Sequence, residues 1–374
     1  MSRISPLLTI KLSLGLCLLA GLGLPLVSRA DPTAEQQYYL ELLNQARMDP
    51  AGELGRLVNY DTPTTFADPA SNDADVAAAL AYFGVSAADL ASQWATLAAA
   101  PPLAWNDNLA TAATTYSNVM IAQDQQAHNL DGLTLDQRDI NAGYGSNYLD
   151  LGENLYAAAA SVNYANAGFL IDWGPTADGI QTGAAHRQTS FDPAFKEIGI
   201  GLVTTGIPAG NVNAIGPYVV TQELGNQFRI VGGNYISDAI LTGVLYVDNV
   251  IRDNFYTPGE GLAGQPILVF DKATHNLLFS GTTNTAGGFN IDLQGVTAGE
   301  QLLISAPGSG LPDQTDTVTS YTTDASVYGA PVTFFPNIYA GFEEVPEPGS
   351  AVLIVAGGLI LACGRRRFCF DKQQ

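Results

Sequence analysis

The segment that organises the reading of this chain lies in residues 185–201: Ala185-His186-Arg187, then Phe195-Lys196-Glu197-Ile198-Gly199-Ile200-Gly201. The β-branched run Ile198–Val203 predicts a strand, and Tyr218–Gln222 predicts another, both bounded by glycine and proline. Upstream the pattern is helical. Thr33 and Gln36 form a capping-box pair, and Tyr39, Leu42, Leu43 and Ala46 keep a helical period up to Asp49-Pro50. A second helical region covers Asp75–Tyr82, breaks at Gly84, restarts at Ser86 and runs with alanine-rich spacing to Ala100. A third begins near Asn106, with Leu109, Ala113, Tyr116 and Met120 on one face. The first two-thirds of the chain therefore reads as mixed helix and strand.

Near residue 240 the helical spacing disappears. Val244–Val247, Pro266–Phe270 and Gln301–Ile304 predict short strands between Gly, Asn and Thr turns, which suits a small all-β sandwich over 240–306. The boundary falls at about 235–241. Residues 307–344, rich in Thr, Asp, Gly and Pro, are either a linker or supply a last strand at Pro331–Phe335.

The ends point to export. Arg3 and Lys11 precede an apolar run from Leu12 to Val27, and Ser28-Arg29-Ala30 has the small residues of a cleavage site, so residues 1–30 read as a signal peptide. At the other end Val345-Pro346-Glu347-Pro348 leads into an apolar run, Gly349 to Gly364, closed by Arg365-Arg366-Arg367. As a helix that run reaches roughly 24 Å, short of the ~30 Å hydrocarbon core, and the arginines hold its end on the cytoplasmic side. Residues 345–367 resemble a PEP-CTERM sorting signal, which implies a transient membrane span and an exosortase-like peptidase as partner. The chain departs from that pattern in running on through Phe368, Cys369 and Phe370.

The 374 residues hold 36 acidic against 15 basic side chains, a net charge of −21. Seven of the basic residues lie in the two end segments, so the body is more acidic still. Such a surface repels nucleic acid and favours solubility and divalent cations. Cys17, Cys363 and Cys369 all lie in the end segments, leaving the body without a disulfide despite its oxidising destination. The body also lacks a Gly-x-Ser-x-Gly elbow, a phosphate-cradling glycine loop and a His-Glu-x-x-His pair.

Five segments of the first domain recur together in one family: Leu42-Leu43-Asn44-Gln45-Ala46-Arg47, Pro102-Leu103-Ala104-Trp105-Asn106, Ala127-His128-Asn129, Gly152-Glu153-Asn154-Leu155, and Ala185-His186-Arg187 with its following strand. The ordered set resembles the CAP superfamily of cysteine-rich secretory, antigen 5 and pathogenesis-related proteins, most nearly its disulfide-free bacterial branch. The resemblance covers roughly 33–225 and implies an α+β fold, a three-layer α–β–α sandwich over 33–235. Residues 61–100 would be a helical insertion. The likeness also implies a cleft lined by two histidines and two acids: His128, His186, Glu153 and, by counting from Phe169, Asp172. Imidazoles with carboxylates suit Zn²⁺, and the same groups could serve as general acid and base. Each could equally hold a turn or hydrogen-bond within the core. Arg187 is expected to pair with an acid.

In the second domain Asp248, Asp253 and Glu260 are oxygen ligands at short spacing, a candidate Ca²⁺ loop or a solvated acidic turn. The segment resembles the Ca²⁺-binding B repeats of bacterial surface adhesins, although Asn254 stands at the turn glycine and Ile251 at a ligand place. His275 falls in a predicted hairpin turn. Three functional readings follow. The leading one is a non-enzymatic exported binding module of the envelope or matrix, with a lipid, polysaccharide or surface protein as ligand. The others are a metal-assisted hydrolase using the same cleft, and a structural matrix component.

Overall fold

The computed structural model describes residues 31–58, 73–206 and 215–344. The signal-peptide and sorting-tail expectations, and residues 61–72 of the expected insertion, lie outside the described residues. The described part belongs to one compact unit beginning at Asp31.

Helix α1 (Ala34–Met48) starts at the Thr33–Gln36 capping box and ends at Asp49. Asp49 is also the N-cap of α2 (Pro50–Leu57): its side chain accepts the Gly52 amide, and Pro50 takes the first helical position, where no amide is needed. The Asp-Pro pair thus ends one helix and starts the next. Then come α3 (Ala74–Phe83) and α4 (Ala87–Trp94), turned through 107°. Helix α4 stops at Trp94, short of the Ala100 that the alanine spacing suggested, and the chain continues through a turn at Ala95–Thr96 and without regular structure to Pro102. Among the described residues no single helix is long and apolar enough to cross a membrane.

The next elements are β1 (Ala104–Trp105), α5 (Asp107–Gln123), α6 (Leu135–Ala142), β2 (Tyr148–Ala159), α7 (Val162–Ala167) with a π-helical turn at Gly168–Asp172, α8 (Ala185–Phe191), β3 (Glu197–Thr204) and β4 (Tyr218–Gln227). The sheet order is β1-β3-β4-β2, with β1 parallel to β3 and the other pairs antiparallel. Side chains alternate across β3, and this creates the layers. Ile198 and Ile200 join Tyr39, Leu43 and Phe169 in the larger core on one face. Gly199 and Gly201 turn to the other face, where a Cβ would overlap the backbone of α5 at Ala110 and at Ala113. The glycines let α5 lie directly on the sheet, so the fold is an α–β–α sandwich.

Asn44 and Arg47 bolt α1 to the chain behind it. Asn44 exchanges two hydrogen bonds with the Leu103 backbone, at 3.0 and 2.7 Å. Arg47, wholly buried, donates to the carbonyls of Pro101, Ser190, Asp192 and Phe195. Two of the recurring sequence segments therefore serve packing.

The sheet-rich remainder holds β5 (Arg229–Val231), β6 (Asn234–Ser237), β7 (Ile240–Val247), β8 (Pro266–Asp271), β9 (Leu277–Thr282), β10 (Gly288–Asp292), β11 (Gln301–Ser305), β12 (Gln314–Thr317), β13 (Tyr321–Thr323), α9 (Ala325–Tyr328), β14 (Val332–Phe334), β15 (Ile338–Tyr339) and β16 (Phe342–Glu344). One sheet has the order β10-β7-β15, with β16 also on β7, and another β12-β11-β8-β9. Leu241, Leu245 and Phe289 of the first meet Ile267, Val269 and Ile304 of the second in a shared core, as in a β-sandwich. A third sheet, β13-β14-β6-β5, takes two of its strands from residues 307–344.

This region is fastened to the α–β–α part. Asn337 donates to the Pro102 and Lys196 carbonyls at 3.0 and 2.7 Å and accepts the Ile240 amide. The Tyr339 hydroxyl donates to Glu41 at 2.6 Å, and Asn290 donates to the Trp105 carbonyl at 3.1 Å. The buried Lys196 ammonium donates to the Asp238 and Phe335 carbonyls.

Candidate functional site

Glu153 sits midway along β2, directly opposite Glu223 of β4. Its Oε1 is 2.6 Å from His128 Nδ1, and its Oε2 accepts from Arg138 on α6. Arg138 is buried, lies over the Tyr116 ring with 3.9 Å from its central carbon to the centroid, and places Nε 3.7 Å from Glu223. Burial opposes its charge, but Glu153, Glu223 and Asp131 together hold its pKa above the usual value. Asp139 and Glu223 are fully buried, and neither carboxylate of the two has a hydrogen-bond partner. Burial pushes Asp139 up to about 7. Burial, then the charges of Glu153 and Asp139, push Glu223 well above the glutamate range. Three acids and one guanidinium thus underlie His128, whose side chain is 63% exposed.

Asp172 and His186 form the other pair. Asp172 ends the π-helical turn at φ +59°, in the left-handed region that a non-glycine residue occupies only when its surroundings enforce it. Here the cause is visible. Asp172 Oδ2 accepts the His186 amide at 3.0 Å, Oδ1 meets His186 Nδ1 at 2.8 Å, and the Asp172 carbonyl accepts from Gln181 at 2.7 Å. Asp172 is fully buried, whereas the His186 side chain keeps 21% exposure. With Nδ1 engaged, Nε2 is the ring atom left to meet a ligand, as for His128.

The four expected residues are therefore joined as two pairs. Successive strand residues project to opposite faces, and β2 divides the pairs accordingly. Glu153 faces Arg138, while its neighbour Asn154 turns to the carbonyl of His186 and to Gln222. Among the described residues no group of three or more His, Cys, Asp or Glu side chains is arranged to hold a metal ion. Arg187, expected to meet an acid, donates instead to the Leu170 and Ile171 carbonyls and to Gln93. Burial lowers its pKa, and the nearby Asp172 offsets part of that.

In the β-region loop the same donor types behave differently. Glu260 Oε1 accepts the amides of Asn249, Val250 and Ile251 at 3.1, 2.8 and 3.2 Å, and Oε2 accepts that of Thr257 at 2.7 Å. This carboxylate sits in a nest of N–H groups, an anion's environment. Asp248 is buried and accepts the Asn254 amide through Oδ2, while its Oδ1 has no partner. Asp253 is exposed, yet partial desolvation of its carboxyl together with Asp248 and Glu260 raises its pKa. His275, at φ +57° and exposed, occupies the β8–β9 turn.

Sequence reasoning did not find Arg138, Asp139 or Glu223. They belong to none of the recurring segments, and only the β2–β4 register brings Glu223 beneath Glu153.

Residues 40–222 match the CAP family model, described as the cysteine-rich secretory protein family. No curated protein matches the chain. Among solved structures, an extracellular protein containing a SCP domain from Bacillus anthracis str. Ames is similar at 22% identity and TM-score 0.26, covering 34% of this chain and 34% of that one. This chain thus spans only about a third of that protein's length. An outer surface protein from Borrelia burgdorferi is 17% identical at TM-score 0.26, covering 37% of this chain and 88% of its own. The venom allergen-like protein 4 of Schistosoma mansoni is 13% identical at TM-score 0.28, covering 52% and 89%. The match to the CAP family, residues 40–222, lies over the three-layer sandwich and both histidine–carboxylate pairs.

Proposed function

We propose that this chain is an exported, non-enzymatic binding module whose CAP domain presents two carboxylate-backed imidazoles to a ligand of the cell envelope or extracellular matrix. The observation that carries this reading is the commitment of Glu153, which is bonded through one oxygen to His128 and through the other to Arg138. A carboxylate engaged on both oxygens is a poor general base, whereas the exposed imidazole it orients is well placed for recognition. Export is supported by the pattern of residues 1–30 and by the likeness of residues 345–367 to a PEP-CTERM signal, which would make an exosortase-like peptidase a processing partner. The metal-assisted hydrolase and the structural matrix component remain the competing readings.

The test titrates the full-length chain with lipid, polysaccharide and protein fractions of the producing cell's envelope and follows the His128 and His186 imidazole NMR signals. One fraction is expected to shift them, and H128A/H186A to lose that binding, with no stoichiometric zinc by elemental analysis in either protein. Stoichiometric zinc that disappears in the double variant, accompanied by hydrolysis of a fraction, would replace this reading with the hydrolase. Silence of the imidazoles towards every fraction would favour the structural reading.

A further inference from the structure

The connection between α5 and α6 carries His128 through a run of turns, with no helix or strand ladder to hold it. Side chains from three neighbouring elements tether it instead. From α5, the Tyr116 hydroxyl donates to the Ala127 carbonyl and accepts the Leu130 amide at 3.1 Å. From α6, Arg138 Nη1 donates to the His128 carbonyl at 3.2 Å, with the Leu133 carbonyl and Asp131 Oδ1 each at 3.5 Å. Arg138 Nη2 donates to Glu153 Oε2 on β2, and Glu153 Oε1 meets His128 Nδ1. One guanidinium thus holds His128 twice, directly by its carbonyl and, through Glu153, by its ring.

The competing role for a buried guanidinium here is charge balance. Asp139 and Glu223 are buried acids without hydrogen-bond partners, and Glu223 Oε1 is only 3.7 Å from Arg138 Nε. Yet Arg138 Nε makes no hydrogen bond. The bonds that Arg138 does make go to Glu153 and to the loop, so its fork is turned towards His128 and away from the two acids most in need of it. The geometry also requires arginine. A planar fork can serve Glu153 and a loop carbonyl at once, whereas a lysine ammonium is a point donor on a flexible stem. The other pair has no such device, because the second oxygen of Asp172 is taken by the His186 main-chain amide.

The tautomer of a neutral imidazole is set by the hydrogen bond its ring makes. Glu153 Oε2 already receives an N–H from Arg138, and a carboxylate paired with a guanidinium accepts at both oxygens. His128 Nδ1 is therefore the donor, and Nε2 keeps its lone pair. We propose that Arg138 is the positioning residue of this site: it fixes the loop that carries His128 and, through Glu153, holds the imidazole in its Nδ1–H form, so that Nε2 offers an acceptor to the ligand. The inference rests on the binding reading only in assigning a ligand to Nε2. The placement of His128 is a property of the protein alone.

The test takes the full-length chain without ligand. It reads the ¹⁵N shifts of the neutral imidazoles, which separate the two tautomers, and backbone order parameters over residues 128–133. Wild type is expected to show a single His128 tautomer, protonated at Nδ1, and a loop in the rigid range of about 0.85. R138K keeps the charge without the fork, and R138M/E223Q removes one charge of each sign, so either can decide if the other fails to fold. In both, His128 should become a mixture of tautomers and the loop should fall below about 0.6, with His186 unchanged. E223Q alone, which leaves the fork in place, should behave as wild type. A single Nδ1–H tautomer with a rigid loop in whichever of the two variants folds, equal loosening at His186, or the same change from E223Q alone would each overturn the proposal. Since no ligand is present, that failure would leave the binding reading standing, and silence towards every envelope fraction would leave the role of Arg138 standing.

Discussion

Glu153 of β2 and Glu223 of β4 are cross-strand partners, and the single guanidinium of Arg138 faces both. Arg138 is bonded to Glu153 and stands 3.7 Å from Glu223, whose oxygens have no hydrogen-bond partner. One positive charge cannot satisfy Glu153, Glu223 and Asp139 in a buried setting, so Glu223 keeps its proton where an ordinary glutamate has lost it. A folded-state pKa above the unfolded value means that the native state binds the extra proton. Stability from this group is complete below the ordinary glutamate range and is lost as pH rises towards the native pKa. E223Q should therefore flatten the fall in urea midpoint between pH 5 and 8 and match wild type at the acid end. A wild-type slope unchanged in E223Q would mean that Glu223 is ionised throughout.

Glu41 gives an independent pH signature. It is buried, accepts from Gln37 and Tyr339, and burial moves its pKa to about 7. By the same sign, its contribution is complete below about pH 4.5 and lost by about pH 7. The full shift is worth at most about 3 kcal/mol. E41Q should leave stability at pH 5 nearly unchanged and raise it at pH 8, read from urea curves at the two values.

Arg47 should be among the costliest single truncations. Removing it strands four carbonyls, those of Pro101, Ser190, Asp192 and Phe195, and leaves a cavity. R47A is expected to destabilise by about 3–5 kcal/mol, and R47K by less. Equal midpoints for R47A and wild type would refute the bolt.

For Glu260 the readout is local. E260A deprives the amides of Asn249, Val250, Ile251 and Thr257 of their acceptor. Hydrogen exchange at those four positions should accelerate by about tenfold or more, with a loss of about 1.5–3 kcal/mol in the loop's local stability. Protection retained in E260A but abolished by chelator in wild type would instead assign the loop to a bound cation.

Close approach explains the last prediction. G199A and G201A each insert a methyl into the backbone of α5. Because helix backbone cannot yield as a side-chain tip can, each should cost about 3 kcal/mol or more, seen as a lower melting temperature without any change at His128 or His186.

Local physics made much of this architecture legible in the sequence. The Thr33–Gln36 box sets the start of α1, and the Leu109, Ala113, Tyr116, Met120 face marks α5, because caps and periodicity act within a few residues. Helix α2 escaped because Asp49-Pro50 reads as a stop although it also caps the next start. Strand β2 was not legible, since Gly152-Glu153-Asn154 is polar on both faces where a half-buried strand should alternate. The same feature hid the site's geometry. His128, Glu153, Asp172 and His186 could be named from motifs, but whether they formed one cluster or two pairs depended on which face of β2 each met.

Strand β16 runs parallel to β7, pairing Phe342 with Leu245, Glu343 with Tyr246 and Glu344 with Val247. Tension entering the body from beyond Glu344 would travel along the axis of this strand. The inter-strand bonds would then be loaded side by side in shear, not opened singly like a zipper, and the Phe342 side chain, buried against Phe289, would have to slide out with them. A pull applied at Glu344 would thus be resisted by the sheet itself, and mechanical rupture there should demand more force than peeling an edge hairpin.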